Sequence, residues 1–204
     1  MTREQQCKLR ELKKAELKLH KELSKKYKLK KISDYIWCKK DDLLFSMWSF
    51  VGENEGVCRC YINANVKPIW LDDYLWDIID MPDNKQQPLS LKIQGAFTVQ
   101  GIKIFETVFE LPEWGINELE ECLNKGYKIF IEHIQKIDID YYFNNYNKPS
   151  YHDEIHELIM LIYNEKYSEA IEYALNMKHK YFISSSSTLP MDAVEYCKKK
   201  LYDL

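Results

Sequence analysis

Glycine and proline are scarce in this sequence, with six of each among 204 residues. That is roughly 3% apiece, below the averages of about 7% and 5% in soluble proteins. Few turn-forming residues imply long helices and strands joined by few tight loops. An all-β sandwich, which needs a turn about every 8–12 residues, is therefore disfavoured.

Long hydrophobic runs are also missing. The longest apolar stretch, "LLFSMWSFV" at 43–51, is far shorter than the roughly 20 residues that a membrane-spanning helix needs. No apolar stretch follows the charged N-terminus, as a secretory signal would require. The six cysteines form no C-x-x-C pair. We therefore expect a cytoplasmic protein whose cysteines are small core residues.

Catalytic signatures are the third absence. The sequence contains no G-x-S-x-G, no phosphate-binding G-x-x-x-x-G-K and no G-x-G-x-x-G. This favours a non-enzymatic protein-binding module, of the immunity or regulatory type found in bacterial conflict systems. A hydrolase with an unrecognised site is one alternative, and a nucleic-acid binder that uses a basic first helix is another.

Charge is distributed unevenly along the chain. Residues 1–31 contain 12 Lys or Arg and 4 Glu, whereas the remainder contains 17 basic and 28 acidic residues. Such asymmetry predicts an interaction arm or a chain that partly neutralises itself. The basic segment has no aromatic residue before Tyr27, so it lacks both a stacking platform for bases and a membrane anchor. We expect no membrane partner and no tight nucleic-acid partner, because with a net charge of −3 the acidic remainder of the chain opposes a phosphate backbone. Affinity for DNA should not reach the nanomolar range near about 0.15 M salt.

Hydrophobic periodicity predicts an α+β fold. A helical rhythm covers 2–27, 69–80 and 116–137, and alternating or short apolar runs predict strands at 31–40, 42–51, 56–66, 89–99 and 102–111. We predict one antiparallel sheet of about five strands, on which the first helix and the 69–80 helix pack. A helical segment then completes the chain.

The predicted domain boundary falls near residue 148. Residues 1–148 form the α+β domain, and 149–204 form a helical segment that packs on it. Three helices are expected in this segment, at about 151–163, 167–178 and 190–202. The stretch "YSEAIEYA" resembles the middle of one tetratricopeptide repeat, which predicts a single helical hairpin.

Three histidines in this segment are candidate metal ligands. His152 and His156 are four residues apart and share one face of a helix, and His179 follows the next predicted helix. The zinc-protease pattern needs Glu directly after the first His, and this sequence has Asp153 there. Ser150 and Asp153 also fit an ordinary capping box. We predict no bound metal and no cofactor.

Two cysteines lie in the predicted third strand. Cys58 and Cys60 point to one side of it, together with Ile62, because side chains alternate along a strand. We predict that both thiols are reduced and buried on the inner face of the sheet.

The helix over 69–80 carries the candidate partner-binding residues. At 100° per residue, the aliphatic side chains cover one face and the two tryptophans fall outside it, among aspartates. Exposed tryptophan is a common binding hot spot, and the aspartates would select a basic protein partner. The alternative is that the basic first helix covers this face from within the molecule. The candidate residues are Trp70, Trp76, Asp72, Asp73, Asp77 and Asp80.

The order of motifs resembles a bacterial family catalogued as domain of unknown function 4304. The likeness lies in the lysine-rich first helix, "KYKLKKISDYIWCKK", "WLDDYLWDII" and "SLKIQGAFTV", and it covers about residues 8–140. The resemblance implies an α+β fold and a bacterial cytosolic origin. It implies no site residues.

Overall fold

The computed structural model describes residues 1–148 and 154–202, and it has the predicted α+β fold. Five strands form one antiparallel meander in chain order: β1 (Lys30–Ile32), β2 (Tyr35–Lys40), β3 (Leu43–Asn54), β4 (Val57–Pro68) and β5 (Ile102–Glu110). The helices are α1 (Arg3–Lys26), α2 (Trp70–Ile78), α3 (Leu91–Gln94), α4 (Ile116–Lys136), α5 (Ile139–Phe143), α6 (Glu154–Tyr163), α7 (Tyr167–Asn176) and α8 (Leu189–Tyr202), with a short 3-10 helix at Pro82–Gln86.

The chain folds into two compact units. The first contains Met1–Lys67 and Gly101–Asp140, and the second contains Pro68–Gln100 and Tyr141–Leu204. This division differs from the predicted boundary at residue 148, because the segment between β4 and β5 belongs with the C-terminal helices. The helix α2, which we expected to pack on the sheet, is therefore part of the second unit, where it contacts α6 and α8.

Short turns hold the meander of the first unit together. Glu55 and Gly56 both have positive φ, at 55° and 81°, which is the type I′ geometry that matches the twist of a two-residue hairpin. Asp41 and Ser33, in the two preceding turns, also have positive φ. The predicted strand over 31–40 is thus two strands, because the chain reverses at Ser33 and Asp34.

One face of the sheet is covered by α1 and α4. The inward side chains include Phe45, Met47 and Ile62, which are fully buried. Gly126 of α4 lies so close to Ile62 that a Cβ there would be 2.4 Å from its Cδ1, so the absence of a side chain sets how near the helix approaches. The Lys40 ammonium donates to three carbonyls at the C-terminal end of α4, those of Ile134, Gln135 and Ile137.

The second unit is built around α2 and the segment that follows it. The predicted strand over 89–99 is wrong: residues Leu91–Gln94 form a single helical turn and the rest is irregular. The amide of Val99 donates to the buried Asp72 carboxylate at 2.8 Å, and the Lys92 ammonium donates to the carbonyl of Ile69 at 2.7 Å. These polar contacts to α2 fix the segment where a sheet ladder would otherwise do so.

The C-terminal helices agree with the prediction. Helices α6, α7 and α8 correspond to the three predicted ones, and α7 contacts both of its neighbours. Ala170 and Ala174 are the buried residues of α7, so small side chains set the close approach of the helical hairpin. The predicted start of α6 at Ser150 and Asp153 lies outside the described residues.

The prediction that Cys58 and Cys60 are buried is confirmed, since both are 0% exposed and free. Burial raises the pKa of the Cys58 thiol to about 11 and that of the Cys60 thiol further. A buried thiol with a raised pKa reacts slowly because the thiolate is the nucleophile. Under native conditions at about pH 7, we expect a maleimide reagent to label the exposed Cys7 long before either strand cysteine. Peptide mass mapping measures the labelling rate at each position. Equal labelling rates at the three positions would contradict this face assignment.

Candidate functional site

The structure places the six candidate residues of α2 in very different surroundings. Trp76 and Asp72 are 0% exposed, so the expectation that they lie on an open face is wrong. The Trp76 indole N–H donates to the carbonyl of Phe97 at 2.8 Å, and the Lys92 ammonium lies 4.9 Å from its ring centroid. The covering chain is therefore the 91–99 segment of the same unit.

Trp70 and Asp73 are also held within the second unit. The Trp70 ring stacks on Tyr163, with centroids 4.4 Å apart and an interplanar angle of 12°, and it contacts Phe143 and Tyr142. Asp73 accepts a hydrogen bond from Lys92. Of the six candidates, Asp77 and Asp80 remain beside a cavity.

The three candidate metal ligands do not come together. Both ring nitrogens of the buried His156 are hydrogen-bonded, Nδ1 with the Tyr142 hydroxyl at 3.0 Å and Nε2 with the Gln100 carbonyl at 2.6 Å. His179 is exposed and its Nδ1 lies 2.7 Å from the Glu154 carboxylate. His152 lies outside the described residues. Across residues 1–148 and 154–202, no group of three or more His, Cys, Asp and Glu side chains is arranged to hold a metal ion.

An acidic groove lies between the C-terminal end of α2, the loop at 183–187 and helix α8. Its volume is about 470 Å³. Two carboxylates come from the end of α2 and two from α8, and Lys199 is the single basic side chain in the lining. The four carboxylates are those of Asp77, Asp80, Asp192 and Glu195.

Local structure places these carboxylates beside the groove. Asp80 adopts the left-handed conformation, with φ of 57°, directly after α2 ends, which turns the chain away from the helix axis. Asp192 lies in the first turn of α8, where the helix dipole stabilises a negative charge. The Ser187 hydroxyl donates to its two oxygens, each at 2.5 Å. Asp77 forms an ion pair with Lys85 at 2.5 Å.

The wall of the groove carries a tyrosine with a perturbed pKa. Burial raises the pKa of Tyr196 to about 12, and the charge of Asp77 adds to the effect because it disfavours a second negative charge nearby. The phenol is therefore neutral over the physiological range. It presents an apolar ring and a hydrogen-bonding hydroxyl beside the acidic side chains, a surface that suits the stem and head of a basic side chain.

A second polar cluster is buried in the first unit, between α1, β3 and α4. His20 Nε2 lies 2.7 Å from the Ser49 hydroxyl oxygen, and His20 Nδ1 lies 2.9 Å from the Tyr127 hydroxyl. The Ser49 hydroxyl donates to the Glu16 carboxylate. These four residues, Glu16, His20, Ser49 and Tyr127, are each at most 8% exposed and form the buried polar cluster.

Hydrogen-bond direction assigns the tautomer of His20. The Ser49 proton points to Glu16, so His20 Nε2–H donates to Ser49 and Nδ1 is an acceptor. The Tyr127 hydroxyl shares its proton between Nδ1 at 2.9 Å and the His20 backbone carbonyl at 3.3 Å. Burial lowers the pKa of His20 to about 4, with Lys31 contributing, and it raises the pKa of Glu16. The ring is therefore neutral at pH 7.

The geometry of the buried polar cluster differs from that of a hydrolase triad. In a triad the carboxylate orients the histidine through its second nitrogen, whereas here Glu16 contacts Ser49 and a phenol contacts the histidine. Ser49 is also only 8% exposed, whereas a triad serine faces a substrate site. We interpret the cluster as a set of satisfied core hydrogen bonds that fixes α1 against β3 and α4.

Sequence reasoning missed both the groove and the buried cluster. Asp192 and Glu195 are 115 or more residues distant from Asp77 in sequence, and only the packing of α2 against α8 joins them. A detectable signal did exist for the cluster: Glu16 and His20 fall on the same side of α1 as Leu12 and Leu23, so two ionisable residues interrupt an apolar stripe.

No helix within the described ranges has both the length and the apolar character needed to cross a membrane. No protein-family model, curated protein or solved structure matches this chain. The resemblance to domain of unknown function 4304 therefore stays a prediction.

Proposed function

We propose that this protein is a non-enzymatic protein-binding module whose acidic groove holds a basic side chain of a partner protein. The observation that carries the proposal is the convergence of four carboxylates on one cavity, where they outnumber the two nearby lysines, Lys199 in the lining and Lys85 paired with Asp77, by two charges. The negative potential of these carboxylates attracts a positively charged side chain. The Tyr196 ring offers an apolar contact to the aliphatic stem of that side chain.

Two further observations support the proposal. The second unit, which carries the groove, contains 14 acidic and 9 basic residues, so its own net charge attracts a basic partner. Ser187 lines the groove, and its hydroxyl donates to Asp192. Among the described residues that line the groove there is no histidine to act as a base for this hydroxyl. A cytoplasmic setting belongs to the proposal because all six cysteines are free thiols.

Capped lysine and arginine tetrapeptides test the groove. We expect saturable binding of one peptide per chain, with a dissociation constant of about 0.1–1 mM, since exposed ion pairs contribute little individually. Combining Asp80→Asn with Glu195→Gln should weaken binding by about tenfold, a change of about 1.4 kcal/mol. Asparagine suits position 80 because it tolerates the left-handed conformation found there. Calorimetric titration at low and physiological salt measures both quantities.

A matched control removes the same charge elsewhere in the second unit. Glu169 and Glu172 are exposed on α7 and do not line the groove. Combining Glu169→Gln with Glu172→Gln should change peptide affinity less than twofold. If both double variants weaken binding equally, the peptides respond only to net charge and the groove is not the site.

A further inference from the structure

Helix α1 carries a straight row of basic side chains on its exposed side. Successive residues of the row are seven, four, seven and four positions apart, so at 100° per residue they fall within a sector of about 60°. At 1.5 Å per residue the row is about 33 Å long. It lies opposite the buried face of the helix, which contains Leu12, Leu19 and Leu23. The basic row consists of Arg3, Arg10, Lys14, Lys21 and Lys25, all exposed.

The side chains of the basic row are not committed to partners inside the molecule. None of the five takes part in an ion pair or a side-chain hydrogen bond with any part of the chain that the structure describes. Two other lysines of α1 differ, since Lys8 pairs with Glu4 at 3.4 Å and Lys18 pairs with Glu22 at 3.9 Å. The first unit as a whole contains 20 basic and 18 acidic residues, so it does not oppose an anionic ligand.

We propose that the basic row of α1 binds the phosphate backbone of a nucleic-acid duplex without sequence preference. The row is as long as about one turn of a duplex, 34–36 Å, which presents one negative charge per about 1.7 Å of its axis. The opposite face of α1 is packed on β3 and α4, so the basic row is on the face that a duplex can contact. Backbone contact requires charge alone, and the missing aromatic residues matter only for stacking on single strands.

The row has little capacity for the other anionic partners. Binding to a membrane surface also requires a face of apolar side chains that enter the lipid. Beside the middle of the row, the exposed large apolar side chain is Leu17, which does not make such a face. Neighbouring acids, Glu4, Glu11 and Glu22, lie 80–100° to one side of the row by helical geometry and would repel a broad acidic protein surface. The same acids limit contact with a duplex to the basic row itself, so the affinity expected is that of non-specific binding.

Fluorescence anisotropy with a labelled DNA duplex of about 20 base pairs tests the proposal. We expect a dissociation constant of about 10⁻⁴–10⁻⁶ M at physiological salt, equal for two unrelated sequences, which is the range of non-specific binding. The logarithm of the association constant should fall with the logarithm of salt concentration with a slope of about −4.5, because five contacts release counterions at about 0.9 each. This affinity agrees with the expectation that nanomolar binding is absent.

Two charge-matched double variants provide the control. Lys14→Gln with Lys21→Gln removes two members of the basic row and should reduce the steepness of the salt slope by about 1.8. Lys8→Gln with Lys18→Gln removes the same net charge from ion-paired positions and should change the slope by less than about half as much. All four positions are exposed, so circular dichroism should show an unchanged fold. Equal effects of the two variants would overturn the assignment to the row.

Competition separates the duplex from the other polyanions. Polyglutamate and vesicles of phosphatidylserine with phosphatidylcholine are added at the same concentration of negative charge as the duplex. If each competitor displaces the labelled duplex only at more than ten times the duplex's concentration of negative charge, the result supports a duplex ligand. Displacement by polyglutamate at equal charge would assign the row to an acidic protein, and displacement by the vesicles would assign it to a membrane surface. Either result overturns the proposal.

Discussion

The substitution Trp76→Ala is expected to lower the free energy of unfolding by about 3–5 kcal/mol, the range for deleting a buried aromatic side chain. The indole is 0% exposed, its N–H donates to the Phe97 carbonyl, and the Lys92 ammonium contacts its face. Removing it leaves a cavity, an unpaired carbonyl and a lysine without its ring contact. Urea unfolding followed by circular dichroism measures the change.

Two variants separate the sources of this loss. Trp76→Phe keeps much of the ring and removes the hydrogen-bond donor, so it should cost about 1–3 kcal/mol. Phe182→Ala removes an aromatic side chain of the same unit that is 73% exposed, and it should cost less than about 0.5 kcal/mol. A Trp76→Ala protein as stable as the Phe182→Ala protein would show that the indole is not part of the core.

Acidification from pH 7 to about pH 4 is expected to cost the wild-type protein about 3 kcal/mol through His20, relative to a His20→Gln variant. The pKa of His20 falls from 6.5 to about 4 on folding, and each unit corresponds to about 1.4 kcal/mol. Below pH 6.5 the unfolded chain binds a proton that the folded chain does not. The histidine's contribution is therefore fully present above pH 6.5 and is lost as pH falls towards 4.

Glu16 acts in the opposite direction within the same buried cluster. Its pKa is raised in the folded state, so the folded chain takes up that proton first and recovers stability as pH falls. The charged groups that influence this pair are Lys13, Lys31 and Asp34. Unfolding free energies of wild type and His20→Gln at matched pH values give the difference, and an NMR titration of the His20 ring gives its pKa. Parallel pH profiles for the two proteins would contradict the assignment.

The helices were predictable because their periodicity is long and regular. Leu12, Leu19 and Leu23 lie on the buried face of α1, and the Thr2 and Gln5 capping box is present at its start. The prediction of five strands is right in number, but its members differ. A turn at Ser33 divides one predicted strand in two, and the predicted strand over 89–99 does not form. Those apolar residues cover α2 instead, which tertiary contacts decide.

Trp76 shows why face assignments failed on α2. Projection of the helix assumes one apolar face and one solvated face, whereas α2 is buried on both sides, with Leu71 and Leu75 on one and Trp76 on the other. Asp72 is buried as well, and the Val99 backbone amide donates to one of its carboxylate oxygens. Asp72 and Trp76 are therefore both buried and hydrogen-bonded, and neither lies on a solvated face. The acidic groove required knowledge of helix packing that no local pattern contains.

The interleaved order of the two units constrains how the chain can be made and divided. Residues 68–100 of the second unit emerge from the ribosome before β5 and α4 of the first. Until β5, which ends at Glu110, has been synthesised, β4 is an unprotected sheet edge. Until Tyr127 has been synthesised, His20 lacks its hydrogen bond to that hydroxyl. A fragment that ends at residue 67 keeps these defects permanently. No single cut of the chain yields two complete units.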